Sequence, residues 1–254
     1  MEVRPGFCIV TENRKEKKMD KVLHRAVTRG HADHGWLDTY HTFSFADYYD
    51  PKRIHFGALR VLNDDTVAPG EGFGTHPHAN MEIVSIPLSG ALRHRDSMGY
   101  VQELRPGGIQ VMSAGTGITH SEFNASDTEP VKFLQIWVLP DSRGHRPRYD
   151  QLTLAPAVRN ELRPIVAPEG FGNEHVGWIH QRAWFHTLDL DAGRGADYRL
   201  RLFGDGVYLF VLEGCVETAG ETLSRRDGLG ICGAGELRID AAADASVLLI
   251  EVPM

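Results

Sequence analysis

The chain has 254 residues, enough for one large or two small domains around an ample core. Hydrophobic residues make up 42% and charged residues 24%, the balance of a soluble globular protein. The formal net charge of -7 argues against phosphate-driven binding of nucleic acid, which needs a basic face.

Residues 1–18 place Phe7-Cys8-Ile9-Val10 ahead of Arg14-Lys15-Glu16-Lys17-Lys18. A secretory signal has the opposite order and a longer apolar run, so this stretch reads as a loose extension. No apolar run approaches the roughly 20 residues of a membrane span. Cys8, Cys215 and Cys232 form no CxxC pair and are too scattered for a disulfide framework, which implies a reducing, cytoplasmic setting. Cys215 and Cys232 read as small core residues.

From Val22 to Asp50, Trp36, Tyr40, Phe43, Phe45, Tyr48 and Tyr49 interleave with His31, His34 and His41. This reads as a lid or entry segment packed by aromatics. The histidine spacing fits neither a strand face nor a helix face, so no metal site is expected there.

Strand signals follow at His55–Leu62, Glu82–Leu88, Ala91–Asp96, Val101–Leu104, Ile109–Met112 and Val131–Leu139. Pro140–Pro168 is a linker rich in Pro, Arg and Asp. The pattern resumes at Trp184–Leu190, Tyr198–Phe203, Val207–Leu212, Cys215–Thr218, Gly228–Cys232, Leu237–Asp240 and Ser246–Val252. No long amphipathic helix is expected. Short strands with Gly and Pro every ten or so residues predict an all-β, antiparallel sandwich or barrel.

The stretch Gly70–Asn124 carries the chemistry. On a strand, residues two apart share a face, so His76 pairs with His78 and His120 with Glu122. Two such strands facing each other inside a barrel bring three imidazoles and a carboxylate to one point. That set suits one divalent ion, with Fe(II) placed first and Zn, Ni, Cu, Mn or Co as alternatives. It leaves a coordination position open, as reactive sites do. Glu82, four residues beyond His78, is the competing carboxylate, or else a group that orients His76 or His78. Gly70-Glu71-Gly72-Phe73-Gly74 lacks a strand-then-helix context and reads as a turn, not a dinucleotide loop. His175, His180 and His186 share no tight spacing.

The second half resembles the first. Superposing Gly90 on Gly214 puts His76 on Leu200, His78 on Leu202 and Glu82 on Gly206. Matching Pro106-Gly107 to Asp227-Gly228 puts His120 on Ala241 and Glu122 on Ala243. The repeat keeps the scaffold and loses every candidate ligand, so metal is expected in the first domain only.

The Gly70–Asn124 stretch resembles the two histidine-bearing motifs of cupins. With His31-Ala32-Asp33-His34-Gly35-Trp36-Leu37-Asp38-Thr39, Thr42-Phe43-Ser44-Phe45, Thr75-His76-Pro77-His78 and Gly115-Thr116-Gly117-Ile118-Thr119-His120-Ser121-Glu122, the chain is similar to the pirin family. The resemblance runs from Leu23 to Met254 and is strongest before Tyr149. It implies a bicupin of two antiparallel β-barrel (jelly-roll) domains, at 19–150 with the metal and 151–254 without. It assigns the ligands to His76, His78, His120 and Glu122. Two departures from the general cupin pattern stand out: seven residues separate Glu82 from Gly90, and Gly115 stands where a proline is usual.

The family link further implies a quercetin 2,3-dioxygenase, with a flavonol and O2 as partners and Glu122 as general base. A metal-dependent regulatory protein that binds a protein partner without turnover is the alternative. Phe73, Met81 and Met112 are expected to line an apolar pocket.

Overall fold

The computed structural model describes residues 19–202 and 204–254. The expected loose extension 1–18, with Cys8, and Phe203 at the end of one expected strand lie outside the described residues. Among these, the regular structure is all β apart from one 3-10 turn, Ala26–Thr28. No helix among them is long and apolar enough to cross a membrane.

The strands form two copies of one arrangement. In the first half a seven-stranded sheet runs, in spatial order, Arg148–Thr153, Gly108–Ser113, Glu82–Ser89, Val131–Val138, Leu59–Val67, Leu37–His41, Gly30–Asp33. It faces a four-stranded sheet of Gly72–His78, Ile118–Asn124, Leu92–Asp96 and Val101–Leu104. In the second half the large sheet runs Asp20–His24, Gly228–Cys232, Asp205–Glu213, Ala245–Pro253, Trp184–Leu190, Leu162–Pro168, Gly177–Ile179. Its small sheet is Gly195–Arg199, Glu236–Ala241, Cys215–Thr218 and Glu221–Ser224. The strand Asp20–His24 therefore crosses over to complete the second large sheet, while Arg148–Thr153 completes the first. The pairings are antiparallel except for the short contact of Val166–Pro168 with Gly177–Ile179.

The large sheets are buried on both faces, which is why Val131–Val138 and Val207–Leu212 read as near-continuous apolar runs. Their outer faces pack on each other: Val84, Ile86, Leu134 and Ile136 join Phe185, Tyr208, Phe210 and Ile250 in one core cluster. Phe43 and Phe56, from the aromatic stretch of the sequence and the loop after it, belong to the same cluster. Cys232 is half-buried against it, and Cys215 is half-buried as well.

The inner faces differ between the halves, and this difference positions the site. The second barrel is filled by one apolar cluster that includes Val207, Leu209, Leu229, Leu237, Ile239 and Leu249. The first has two small clusters, one around Val67, Leu92, Leu104 and Phe133, the other around Ile83, Met112, Ala114 and Ile118. Polar groups occupy the space between them.

Strand pairing aligns the two halves residue by residue. The hairpin corners Gly90 and Gly214 match, with φ of +75° and +81° in the left-handed region that favours glycine. From there, Ser85, Gln110 and Gln135 correspond to Leu209, Leu229 and Leu249. His120 and Glu122 correspond to Leu237 and Ile239, and His76 to Tyr198. This corrects the offsets obtained by counting along the sequence, which gave Ala241, Ala243 and Leu200. The connections on either side of these strands differ in length between the halves, so counting through them slips by two to four residues. The consequence for the candidate ligands is unchanged: leucine, isoleucine and tyrosine stand in their places.

Candidate metal centre

The strands Gly72–His78 and Ile118–Asn124 are neighbours, with His76 directly opposite His120. A β-bulge between His120 and Glu122 breaks that register, so Glu122 faces Phe73 on one side and His94 on the other. Ring nitrogens of His76, His78 and His120 all lie within 4.8 Å of one another. A ring nitrogen of His94, one of His120 and a carboxylate oxygen of Glu122 form a second such group. The two groups share His120. Glu82 belongs to neither; it is buried and accepts a hydrogen bond from Ser113 at 2.7 Å. Burial pushes its carboxyl up to about 7, the Ser113 bond opposing.

The ring contacts define which nitrogens face inward. The Nδ1 of His76 lies 2.7 Å from the carbonyl of Gly74, to which it donates, leaving Nε2 bare. So His76 is oriented by a backbone carbonyl rather than by Glu82. The Nε2 of His94 is 3.0 Å from Asp96 Oδ2, and both side chains are fully buried. In its neutral form His94 donates to the carboxylate and turns a bare Nδ1 toward Nδ1 of His120, 3.5 Å away. With its proton on that side, His120 presents a bare Nε2 to Nε2 of His76 at 3.1 Å. Two bare imidazole nitrogens that close repel unless a cation lies between them. Two ligands on one ion, each bonded at about 2.0–2.1 Å, stand roughly 2.9–3.4 Å apart. The spacing and the tautomers fit a metal.

The electrostatics agree. Burial, followed by the neighbouring His120 and His76, pulls His78 down to about 4. Burial, then His76 and His94, pulls His120 down to about 3. Both rings are neutral at pH 7, with lone pairs free to ligate.

Glu122 is 2% exposed. Its Oε2 accepts from Gln135 Nε2 at 2.7 Å, and its Oε1 from Gln110 Nε2 at 3.0 Å and Ser85 Oγ at 3.3 Å. The polar floor that the second barrel fills with leucines is thus the cradle of this carboxylate.

A cavity of about 60 Å³ adjoins these groups, and Phe45, Asn63, Asp65, Phe73, Ile83 and Trp137 complete its wall. Phe73 lines it as expected, and Phe45 brings the early aromatic segment to it. Met81 and Met112 do not line it: Met112 faces the Ile83–Ile118 cluster, against which Met81 also packs. Trp137 Nε1 is buried and has no hydrogen-bond partner among the described residues, a donor available to an oxygen in the cavity. His94, Asp96 and Trp137 escape sequence reasoning. His94 shares the two-residue spacing with Asp96, but an HxD pair on a strand carries no signal by itself.

Elsewhere, His31 pairs with Asp38 at 2.7 Å and His41 with Asn63 at 2.9 Å. His175 contacts the Thr153 carbonyl, and His180 stacks on His145 with centroids 3.8 Å apart. None of these belongs to a ligand cluster among the described residues.

Residues 22–138 match the family model described as Pirin, and residues 165–252 match the one described as Quercetinase C-terminal cupin domain. The chain is 41% identical over 231 residues to the quercetin 2,3-dioxygenase of Escherichia coli K12, covering 91% of this chain and 98% of that one. It is 39% identical over 223 residues to a pirin-like protein of Caulobacter vibrioides, covering 87% and 95%. Among solved structures, the bacterial pirin YhhW of Escherichia coli in complex with nickel(II) superposes with a TM-score of 0.86 at 40% identity, covering 92% and 99%. A quercetin 2,3-dioxygenase of Acinetobacter baumannii shares the fold, with a TM-score of 0.74 at 21% identity and coverage of 91% and 85%.

Proposed function

This chain belongs to the pirin family, and on that premise we propose that it is a metal-dependent dioxygenase that cleaves a flavonol such as quercetin. The proposal divides the chain into two cupin units, 19–150 with the metal and 151–254 without, except that the strand Asp20–His24 lies in the sheet of the second unit and Arg148–Thr153 carries the first past residue 150. His76, His78 and His120 are the histidine ligands, and Glu122 is both fourth ligand and general base. The observation that carries this reading is the facing pair of bare Nε2 atoms on His76 and His120 beside a polar cradle that holds one carboxylate.

When bound, a divalent ion, with Fe(II) placed first, supplies a Lewis acid for the 3-oxygen of the flavonol. Glu122 takes the 3-hydroxyl proton. Gln135, Gln110 and Ser85 hold its carboxylate in place, since each donates to it. Trp137 Nε1–H donates to a substrate oxygen and fixes the ring's orientation. Phe45 and Phe73 exclude water from the deprotonated substrate. Ring opening consumes one O2 and yields carbon monoxide and a depside, which together carry all the atoms of flavonol and oxygen. The cavity of about 60 Å³ takes the reacting edge, while whole-ligand pockets run to about 300–1,000 Å³; the rest of the flavonol lies toward the mouth.

The test is aerobic loss of the long-wavelength absorbance of quercetin with metal-loaded protein, beside His76→Ala. Wild type is expected to consume quercetin, and the variant to lose both metal and activity. Equal, negligible rates in both would reject turnover and favour a metal-dependent binding protein. Full metal content in the variant would remove His76 from the ligand set.

A second prediction concerns the buried Asp96–His94–His120 chain. Replacing His94 by Phe keeps the stacking on Tyr149, whose ring lies 4.2 Å away, but removes the acceptor for His120 Nδ1–H. Loss of such an outer partner costs about 10–100-fold in metal affinity. Competition with a chelator of known affinity measures it, and an unchanged affinity would show that His120 is oriented by other contacts.

A further inference from the structure

The mouth of the second barrel carries a site of its own. A cavity of about 500 Å³ opens there, lined by Leu162, Pro164, His186, Tyr198, Leu200 and Arg201 among others. It occupies the place that the metal-centre cavity occupies in the first barrel. By strand pairing His186 corresponds to Asn63, Tyr198 to His76 and Glu251 to Trp137. The duplicated scaffold has kept the opening and changed its chemistry.

The wall is built rather than incidental. His186 is 3% exposed, and its Nδ1 has no hydrogen-bond partner among the described residues. Its ring meets the edge of Tyr198 with centroids 5.3 Å apart. Burial and the nearby Arg201 cation pull His186 down to about 4, so it is neutral at pH 7 and carries a single N–H. The Tyr198 hydroxyl donates to Glu251 Oε2 at 2.7 Å, and Glu251 Oε1 accepts the backbone N–H of Arg201 at 2.7 Å. A fully buried carboxylate thus ties down the segment that presents Arg201.

The charges select the ligand. Arg199 pairs with Glu236 at 3.6 Å, and Asp197 with Arg238 at 3.3 Å. Asp205, close to Glu251, pairs with Arg182 at 2.8 Å. Arg201 has no ion-pair partner among the described residues. The mouth therefore holds one uncompensated guanidinium, a fork that matches a carboxylate. Leu162, Pro164 and Leu200 offer an apolar surface for a flat body. A single unpaired guanidinium with acidic neighbours, Glu251 among them, suits a monoanion better than a phosphate dianion.

We propose that this second mouth binds a small aromatic monocarboxylate, with Arg201 on the carboxylate, His186 on a polar edge and the ring against Leu162, Pro164 and Leu200. The assignment is independent of the reaction proposed for the first barrel. If that reaction holds, its depside product, which bears a carboxylate on a phenolic ring, belongs to the same class.

Isothermal titration of the metal-loaded full chain with 4-hydroxybenzoate tests this. Wild type is expected to bind with a Kd between about 10 μM and 1 mM. Arg201→Gln, at an exposed position, is expected to weaken binding at least about tenfold. His76→Ala, which disables the first barrel, is expected to leave it unchanged. Absence of binding by wild type overturns the proposal. So does binding that survives Arg201→Gln, or that disappears in His76→Ala, since the probe would then sit in the first barrel. 4-Hydroxybenzamide, isosteric but uncharged, is expected to bind at least about tenfold more weakly; equal affinity would remove the role of the charge.

Discussion

Glu122→Gln is expected to lower kcat for quercetin by about 10²–10⁴, the usual contribution of a positioned general base. The substitution preserves shape and removes the proton acceptor. It also disturbs the cradle in a definable way. Gln135 and Gln110 both point N–H groups at Glu122, and a carboxylate accepts at both oxygens while an amide does not. In its present orientation, with Oε1 toward the Tyr149 hydroxyl at 3.2 Å, the Gln110 amide offers position 122 only N–H. One donor is therefore left facing another, at a cost of about 1–3 kcal/mol. Three imidazoles remain, so metal is retained at reduced affinity. Turnover and metal analysis on the same sample separate the two effects. A variant that holds metal and turns over within about threefold of wild type would remove Glu122 from proton transfer.

What could be read in advance follows the range of the physics involved. The two-residue spacing of His76 with His78 and of His120 with Glu122 is local, and strand geometry turns it into a shared face without further information. Apolar runs such as Val207–Leu212 announce strands buried on both sides for the same reason. The partners that decide tautomers are different. Asp96 and His94 lie more than twenty residues before His120, and only the pairing of neighbouring strands brings them together. Trp137 reads as one more apolar residue in a buried strand; that its N–H lacks a partner among the described residues is visible only once the cavity is formed. Met81 and Met112 illustrate the opposite error. They are near the candidate ligands in sequence and apolar, yet they serve the neighbouring core cluster. The bulge after His120 is a further case, since an alternating pattern does not reveal where the alternation slips.

Gly72→Ala is expected to lower the melting temperature by roughly 2–12 °C and to weaken metal binding at least about tenfold. Gly72 lies opposite Phe123 on the strand pair that carries the histidines. A Cβ there would clash with the Glu122 carbonyl oxygen and stand 2.5 Å from Phe123 Cα, both backbone atoms that cannot swing aside. The strands must separate to admit it. Such overpacking costs about 1–3 kcal/mol, and each kcal/mol moves the midpoint of a chain of this size by about 2–4 °C. The displacement acts where it matters most, because His76 and His78 sit four and six residues along the same strand. They reach His120 only while that strand keeps its distance. Gly235→Ala is the control: nothing among the described residues lies within 4 Å of its added Cβ, so stability and metal content are expected to stay at wild-type values. If Gly72→Ala melts lower yet binds metal as tightly as wild type, the three imidazoles do not depend on the spacing of this strand pair.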